Sequence, residues 1–183
     1  PGTSGPVVEL EEFEGAIQNS GKRYGFCVIL SSGVVKCTGI DSYSSMGSAQ
    51  SGNSIKYDEP HTIAMIGTSL PKAQRIFVGF YSTCIILETD ELYCLGAAQL
   101  SGLGSCPDGT LSCFTTDSKN FLPLKVLDSV ASVANLNQHV CAVLLDGTVK
   151  CWGRNNYGQL GRESTQDSFD PLTSPTVDFG NGV

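Results

Sequence analysis

The chain is short of basic residues, of histidine, and of every spacing that holds a metal. Of 183 residues only 11 are Lys or Arg, against 18 Asp or Glu, and the net charge is −7. So few cations cannot track a phosphate backbone, so no nucleic acid is expected as a partner. No apolar run approaches the roughly 20 residues needed to cross a bilayer as a helix, so no membrane span is expected. There is no Cys-x-x-Cys, no Asp-x-Asp-x-Asp-Gly loop, no Walker loop, no G-x-S-x-G elbow and no dinucleotide fingerprint. These gaps leave no candidate for a catalytic residue, a cofactor or a metal. Asn-x-Ser/Thr is also missing, which removes N-glycosylation, while the Ser-rich stretch 42–54 could carry O-linked sugars. The sequence opens on PGTSGPVVEL, with neither an initiating Met nor a signal-peptide profile, and reads as a processed chain or a part of a longer one.

Cysteine, in contrast, is plentiful and regular. Cys27 and Cys37 lie ten residues apart, as do Cys84 and Cys94, and Cys141 and Cys151. Each pair follows the previous one by 57 residues. Gly39, Gly96 and Gly153 keep this register, as do Gly47, Gly104 and Gly161, and the apolar triads Leu30, Leu87, Leu144 and Met46, Leu103, Leu160. A fixed period of this kind sets the architecture before any site is considered. Zinc ligands in such arrays sit about two to four residues apart, in tight turns. Here β-forming residues fill the gap, so disulfides and an oxidising, extracellular or cell-surface setting are the better reading.

The segment CAVLLDGTVKC, from Cys141 to Cys151, reads as an antiparallel hairpin turning at Asp146-Gly147. Ser32-Gly33 holds the turn of the first copy, and Asp90 replaces the glycine in the second, at a tolerable cost. Folding each hairpin at its midpoint sets its cysteines opposite each other, which predicts Cys27–Cys37, Cys84–Cys94 and Cys141–Cys151. Cys106 and Cys113, in CPDGTLSC, would close one insertion locally.

Two weaker β-like segments precede each hairpin: 6–10 and 13–18, 61–66 and 75–80, 122–127 and 129–136. Pro6, Pro60 and Pro123 stand at or near the start of the first segment of each set. Four short strands per repeat, with no sustained helical period, is the pattern of a propeller blade. The chain divides into blades 1–57, 58–116 and 117–173. Residues 174–183 form a fourth copy of the opening segment, which reads as the first strand of a further blade or as an intermolecular strand.

HVCAVLLDGTVKCWGRNNYGQLG, from His139 to Gly161, resembles the repeat of the regulator of chromosome condensation (RCC1-type) family. The likeness rests on Asp146-Gly147, Trp152-Gly153, Asn155, and Tyr157-Gly158-Gln159-Leu160-Gly161. In the other copies Leu95 and Thr38 replace Trp152, while the glycines persist. The resemblance implies an all-β propeller, usually of about seven blades, and the cysteines make this chain similar to extracellular members of that repeat class. It implies structural roles for the motif, with Tyr157 and Leu160 packed between blades. It also implies a packing role for His139, whose counterparts Ser82 and Gly25 form no ring of ligands. His61, near Asp58 and Glu59, reads as part of a solvated cluster.

Three blades are too few to close a ring. The sequence is therefore expected to be either part of a longer propeller or a unit that self-associates as a homo-oligomer or filament. The function expected is a non-enzymatic scaffold for protein contact. A secreted inhibitor docking a target on one face, and a guanine-nucleotide exchange regulator, are the alternatives. Specificity is expected in the insertions 42–58 and 101–120.

Overall fold

A computed structural model of the chain describes residues 15–41, 46–47, 55–63, 66–67, 69–96 and 123–180. Among them there is no helix. Eleven strands run in chain order: β1 (Ala16–Lys22), β2 (Gly25–Leu30), β3 (Val35–Asp41), β4 (Ile55–Thr62), β5 (Ala73–Val78), β6 (Ser82–Leu87), β7 (Leu92–Gly96), β8 (Leu124–Leu127), β9 (Val130–Asn135), β10 (His139–Leu144) and β11 (Val149–Gly153). They form two four-stranded antiparallel meanders, β1-β2-β3-β4 and β5-β6-β7-β8, and a three-stranded one, β9-β10-β11.

The three central hairpins turn alike. Amides of Gly33, Asp90 and Gly147 donate to the carbonyls of Leu30, Leu87 and Leu144 at 2.8, 3.0 and 3.0 Å. All three residues take positive φ: 84°, 61° and 86°. Asp90 thus adopts the left-handed geometry that its repeat position demands.

Alternation within each strand gives every blade two faces. One carries the cysteines, and the other carries residues such as Ile85, Leu87 and Leu95. The first blade sets Cys27, Ile29, Val35 and Cys37 against Ile85, Leu87 and Leu95 of the second. The second sets Cys84, Ile86, Leu92 and Cys94 against Val140, Ala142 and Trp152 of the third. The cysteine face of one blade is therefore covered by the opposite face of the next. Packed on both sides, β6 is buried at all six positions.

The first strands of the blades lie side by side, β1 against β5 and β5 against β9. Their edge groups bond across the gap at nearly one repeat's separation. The Ile76 amide donates to Gln18 Oε1 at 3.2 Å, and the Val78 amide to Ser20 Oγ at 2.9 Å. Asn135 Nδ2 donates to the carbonyls of Phe77 and Ser82, each at 3.0 Å. These bonds satisfy strand edges that would otherwise be left bare.

The sheets divide the chain differently from the boundaries expected at 57/58 and 116/117. Residues 61–62 of the segment 61–66, expected to open the second blade, instead supply the end of β4, the outermost strand of the first sheet, and β8 likewise closes the second. Pro60 sits late in β4, where the register slips between the pairs Cys37–His61 and Gly39–Tyr57. A bulge on an outer strand is a place where a missing donor costs little. Residues 174–180 follow the same rule. Thr176 bridges Lys150 of β11, and the Val177 amide donates to the Val149 carbonyl at 2.8 Å. Through this isolated bridge the described part of the terminal segment lies along β11. The expected strand 6–10 lies outside the described residues.

Candidate protein-interaction face

Each hairpin brings its two cysteines directly opposite each other, in the pairs Cys27–Cys37, Cys84–Cys94 and Cys141–Cys151. Disulfides join all three, with Cα–Cα distances of 4.0, 4.1 and 4.1 Å. Cys106, Cys113 and Gly104 lie outside the described residues, as does most of the two insertions expected to carry specificity.

The glycine after each second cysteine is where the chain crosses over the strand beside it. Gly39, Gly96 and Gly153 take φ of 109°, 124° and 115°. A Cβ on them would come within 2.3 Å of the Tyr24 carbonyl oxygen, 2.2 Å of that of Tyr81 and 2.5 Å of that of Gln138. Only glycine fits there.

In the third repeat the tail that follows is tied by Asn155. Its Oδ1 accepts from the Leu160 amide at 2.9 Å, its Nδ2 donates to the Ser164 carbonyl at 2.6 Å, and its own amide donates to Asp167 Oδ1 at 2.7 Å. Gly158 and Gly161 turn this loop at positive φ. Leu160 and Trp152 are fully buried, and among the described residues the Trp152 indole N–H has no partner. Met46 is buried in the same way, and Gly47 turns beside Leu95 and Ile63.

Tyr157 departs from the expected packing between blades. It is 88% exposed, in a turn where its amide donates to Gln159 Oε1 at 2.9 Å. His61 also differs from the solvated cluster expected of it. It is half-buried, with Nε2 2.8 Å from the Met46 carbonyl. His139 is half-buried at the start of β10, and burial holds its pKa below the usual range.

The faces of the three blades are not equal. The eight cysteine-face residues of blades one and two named above, four in each, are 0% exposed. In the third blade Val143 is 39% exposed, and Cys141 and Val149 are half-buried. Leu145 is 58% exposed beside them. This apolar sheet face is the candidate site. Among the described residues no cluster of His, Cys, Asp or Glu could hold a metal. The inter-blade bonds of Gln18, Ser20 and Asn135 were not legible in the sequence. Their counterparts in other repeats differ, so the period does not mark them.

A sequence profile of the regulator of chromosome condensation (RCC1) repeat matches residues 137–159. The chain is 42% identical to the ultraviolet-B receptor UVR8 of Arabidopsis thaliana over 52 residues, 27% of this chain and 12% of the receptor. It is 27% identical to the human probable E3 ubiquitin-protein ligase HERC4 over 97 residues, 53% of this chain and 9% of the ligase. Among solved structures, human WBSCR16 superposes with a TM-score of 0.71 at 15% identity, over 92% of this chain and 41% of that one. Yeast RCC1 (Prp20) bound to Kap60 gives 0.73 at 17% identity, over 90% and 37%. The chain thus spans about an eighth or less of the two sequence relatives and about two fifths of the solved structures. The shared fold is the β-propeller of this repeat class, of which the chain forms a part.

Proposed function

From a chain built on regulator of chromosome condensation (RCC1) repeats, we propose a non-enzymatic extracellular or cell-surface scaffold whose stapled blades make protein–protein contacts. The observation that carries this reading is the set of three hairpin disulfides at repeat-equivalent positions, two of them lodged in the packing between blades. Such crosslinks persist in oxidising compartments and are rare in the cytosol. The repeat motif is taken up by turns, crossings and core, which leaves faces and loops for recognition. Solved relatives of this fold include one bound to Kap60 and one described by its binding to Gsp1p and histones. A negative net charge supports a protein or a copy of the chain itself, rather than nucleic acid, as the partner. Such contacts include self-association into a filament or surface layer.

The test is compartment and state together. Thiol alkylation with mass analysis of the natively produced chain is expected to find the hairpin cysteines oxidised. Light scattering and negative-stain imaging then read assembly. A folded native chain with reduced hairpin thiols would overturn the extracellular reading. A secreted inhibitor docking on one face is the second reading, supported by the exposed Tyr157 loop, and it predicts a monodisperse monomer that forms a one-to-one complex with its target. Guanine-nucleotide exchange by the fully reduced chain on a small GTPase would favour the third.

A further inference from the structure

We propose that the outer edge of β11 accepts an added strand: an extended peptide, with an acidic residue opposite Lys150, that takes the place of residues 174–177. This rests on reading the chain as a scaffold for protein contact and names a surface and the chemistry of its partner.

The third sheet has a gap in its hydrogen bonding. Cys141 and Cys151 face each other at a Cα–Cα distance of 4.1 Å, the close spacing of a pair that exchanges no backbone bonds. The amide and carbonyl of Cys151 therefore point away from β10, toward the outer edge. Val149 and Gly153, two residues to either side, point the same way and have partners. The Val149 carbonyl accepts from the Val177 amide at 2.8 Å, and Gly153 exchanges both of its bonds with Ser168. Among the described residues the backbone groups of Cys151 have no such partner, although Cys151 is only 6% exposed. Buried backbone groups in that state are costly. The equivalent cysteines differ: Cys37 pairs with His61 of β4, and Cys94 with Leu124 of β8.

A proline accounts for the gap. Thr176 bridges Lys150, so the antiparallel register sets Pro175 opposite Cys151. Pro175 has no amide to give the Cys151 carbonyl. In the other two sheets the proline stands one residue before the partner of the cysteine, Pro60 before His61 and Pro123 before Leu124. Upstream of Pro175 the chain leaves the edge. The bridges Gly153–Ser168 and Lys150–Thr176 lie three steps apart along β11 but eight along the terminal segment. The surplus is wound into a turn about Asp170. Its carbonyl accepts from the Ser174 amide, and its carboxylate accepts from the Leu172 amide and the Thr173 hydroxyl.

A strand without proline at that point supplies both bonds that Cys151 lacks, which is recognition by strand addition. Lys150 sets the neighbouring position. Its Nζ donates to the carbonyls of Pro171 and Leu172, each at 3.2 Å, and forms no ion pair among the described residues. An acidic residue directly across from it adds a cross-strand charge pair.

The probe is a labelled peptide of residues 172–180 carrying Pro175→Ala and Thr176→Glu, titrated with the full oxidised chain and read by fluorescence anisotropy. Saturable binding is expected. The unaltered peptide is expected to bind at least tenfold more weakly. The same loss is expected for the probe on a chain that itself carries Pro175→Ala, because the chain's own segment then completes the edge. Amide exchange followed by NMR is the second readout. The Cys151 amide of wild type is expected to exchange at least tenfold faster than that of Cys94, and Pro175→Ala to slow it. A probe that does not bind, two peptides that bind alike, or a Cys151 amide as slow as that of Cys94 would sink strand addition. An oxidised, folded chain that ignores the probe leaves the scaffold reading standing, whereas a folded native chain with reduced hairpin thiols removes that reading instead.

Discussion

Gly153 and Gly158 show how unequal two glycines of one motif can be. Both take positive φ, but a Cβ at Gly153 strikes the Gln138 carbonyl oxygen at 2.5 Å, while one at Gly158 meets nothing. Gly158→Ala therefore carries only the left-handed backbone cost, about 1–2 kcal/mol. Gly153→Ala adds a backbone collision that rigid neighbouring strands cannot relieve, for a total of about 3 kcal/mol or more. Urea denaturation of the two variants should separate them, with Gly153→Ala the less stable.

Two ionisable residues add pH dependence. Burial lowers the His139 pKa, so the folded chain binds its proton less readily than the unfolded chain does. The stabilising contribution is complete above the unfolded value near 6.5 and is lost as the pH falls through the lower folded value. Melting temperature measured from pH 7.5 down to 5 should fall more steeply for wild type than for His139→Gln. Asp146 behaves alike in a more acidic window. The amide and hydroxyl of Thr148 donate to its Oδ1 at 2.9 and 2.7 Å and hold its carboxyl below the ordinary range.

At the level of the element, the hairpin is the unit that the sequence specifies best. Alternating β-formers, a turn residue tolerant of positive φ and two cysteines equidistant from it determine strand, register and crosslink together. Closing a loop of this length stabilises by roughly 2–3 kcal/mol in the chain-entropy model. Packing then differentiates chemically identical bridges. Cys84 and Cys94 are fully buried, so replacing both by Ala also leaves cavities between blades. Cys141 is half-buried, and the same replacement at Cys141 and Cys151 vacates less. Calorimetry of the two double variants is expected to give the larger fall in melting temperature for the second-blade pair.

The outer strands teach the opposite lesson. Of the expected strands 61–66 and 174–179, only residues 61–62 fall in a strand and only Thr176 makes a β-bridge among the described residues. Whether each opens a new blade or closes the old one depends on which sheet edge is nearest in space. Period alone leaves that choice open, because shifting the cut along a repeat changes no spacing.

For the molecule as a whole, three hairpin crosslinks supply roughly 6–9 kcal/mol, comparable to the entire net stability of an ordinary domain. Complete reduction under native conditions is therefore expected to abolish the cooperative unfolding transition, measured by circular dichroism at 37 °C. A reduced chain with an unchanged transition would contradict that estimate. The same scale governs exposure. Among the described residues two cysteine faces are buried between blades, while Cys141, Val143 and Val149 of the third are partly exposed.

The sequence by itself determined the blade: its repeat of 57, its hairpin, its crosslink and the glycines at its crossing. These depend on contacts within about a dozen residues, where the order of side chains dictates geometry. The tertiary structure alone decided which strand closes which sheet, that Tyr157 points to water, that His61 binds a carbonyl, and that one cysteine face of three reaches solvent. Those outcomes depend on contacts between segments from 15 residues apart to about one repeat apart, which no local pattern encodes.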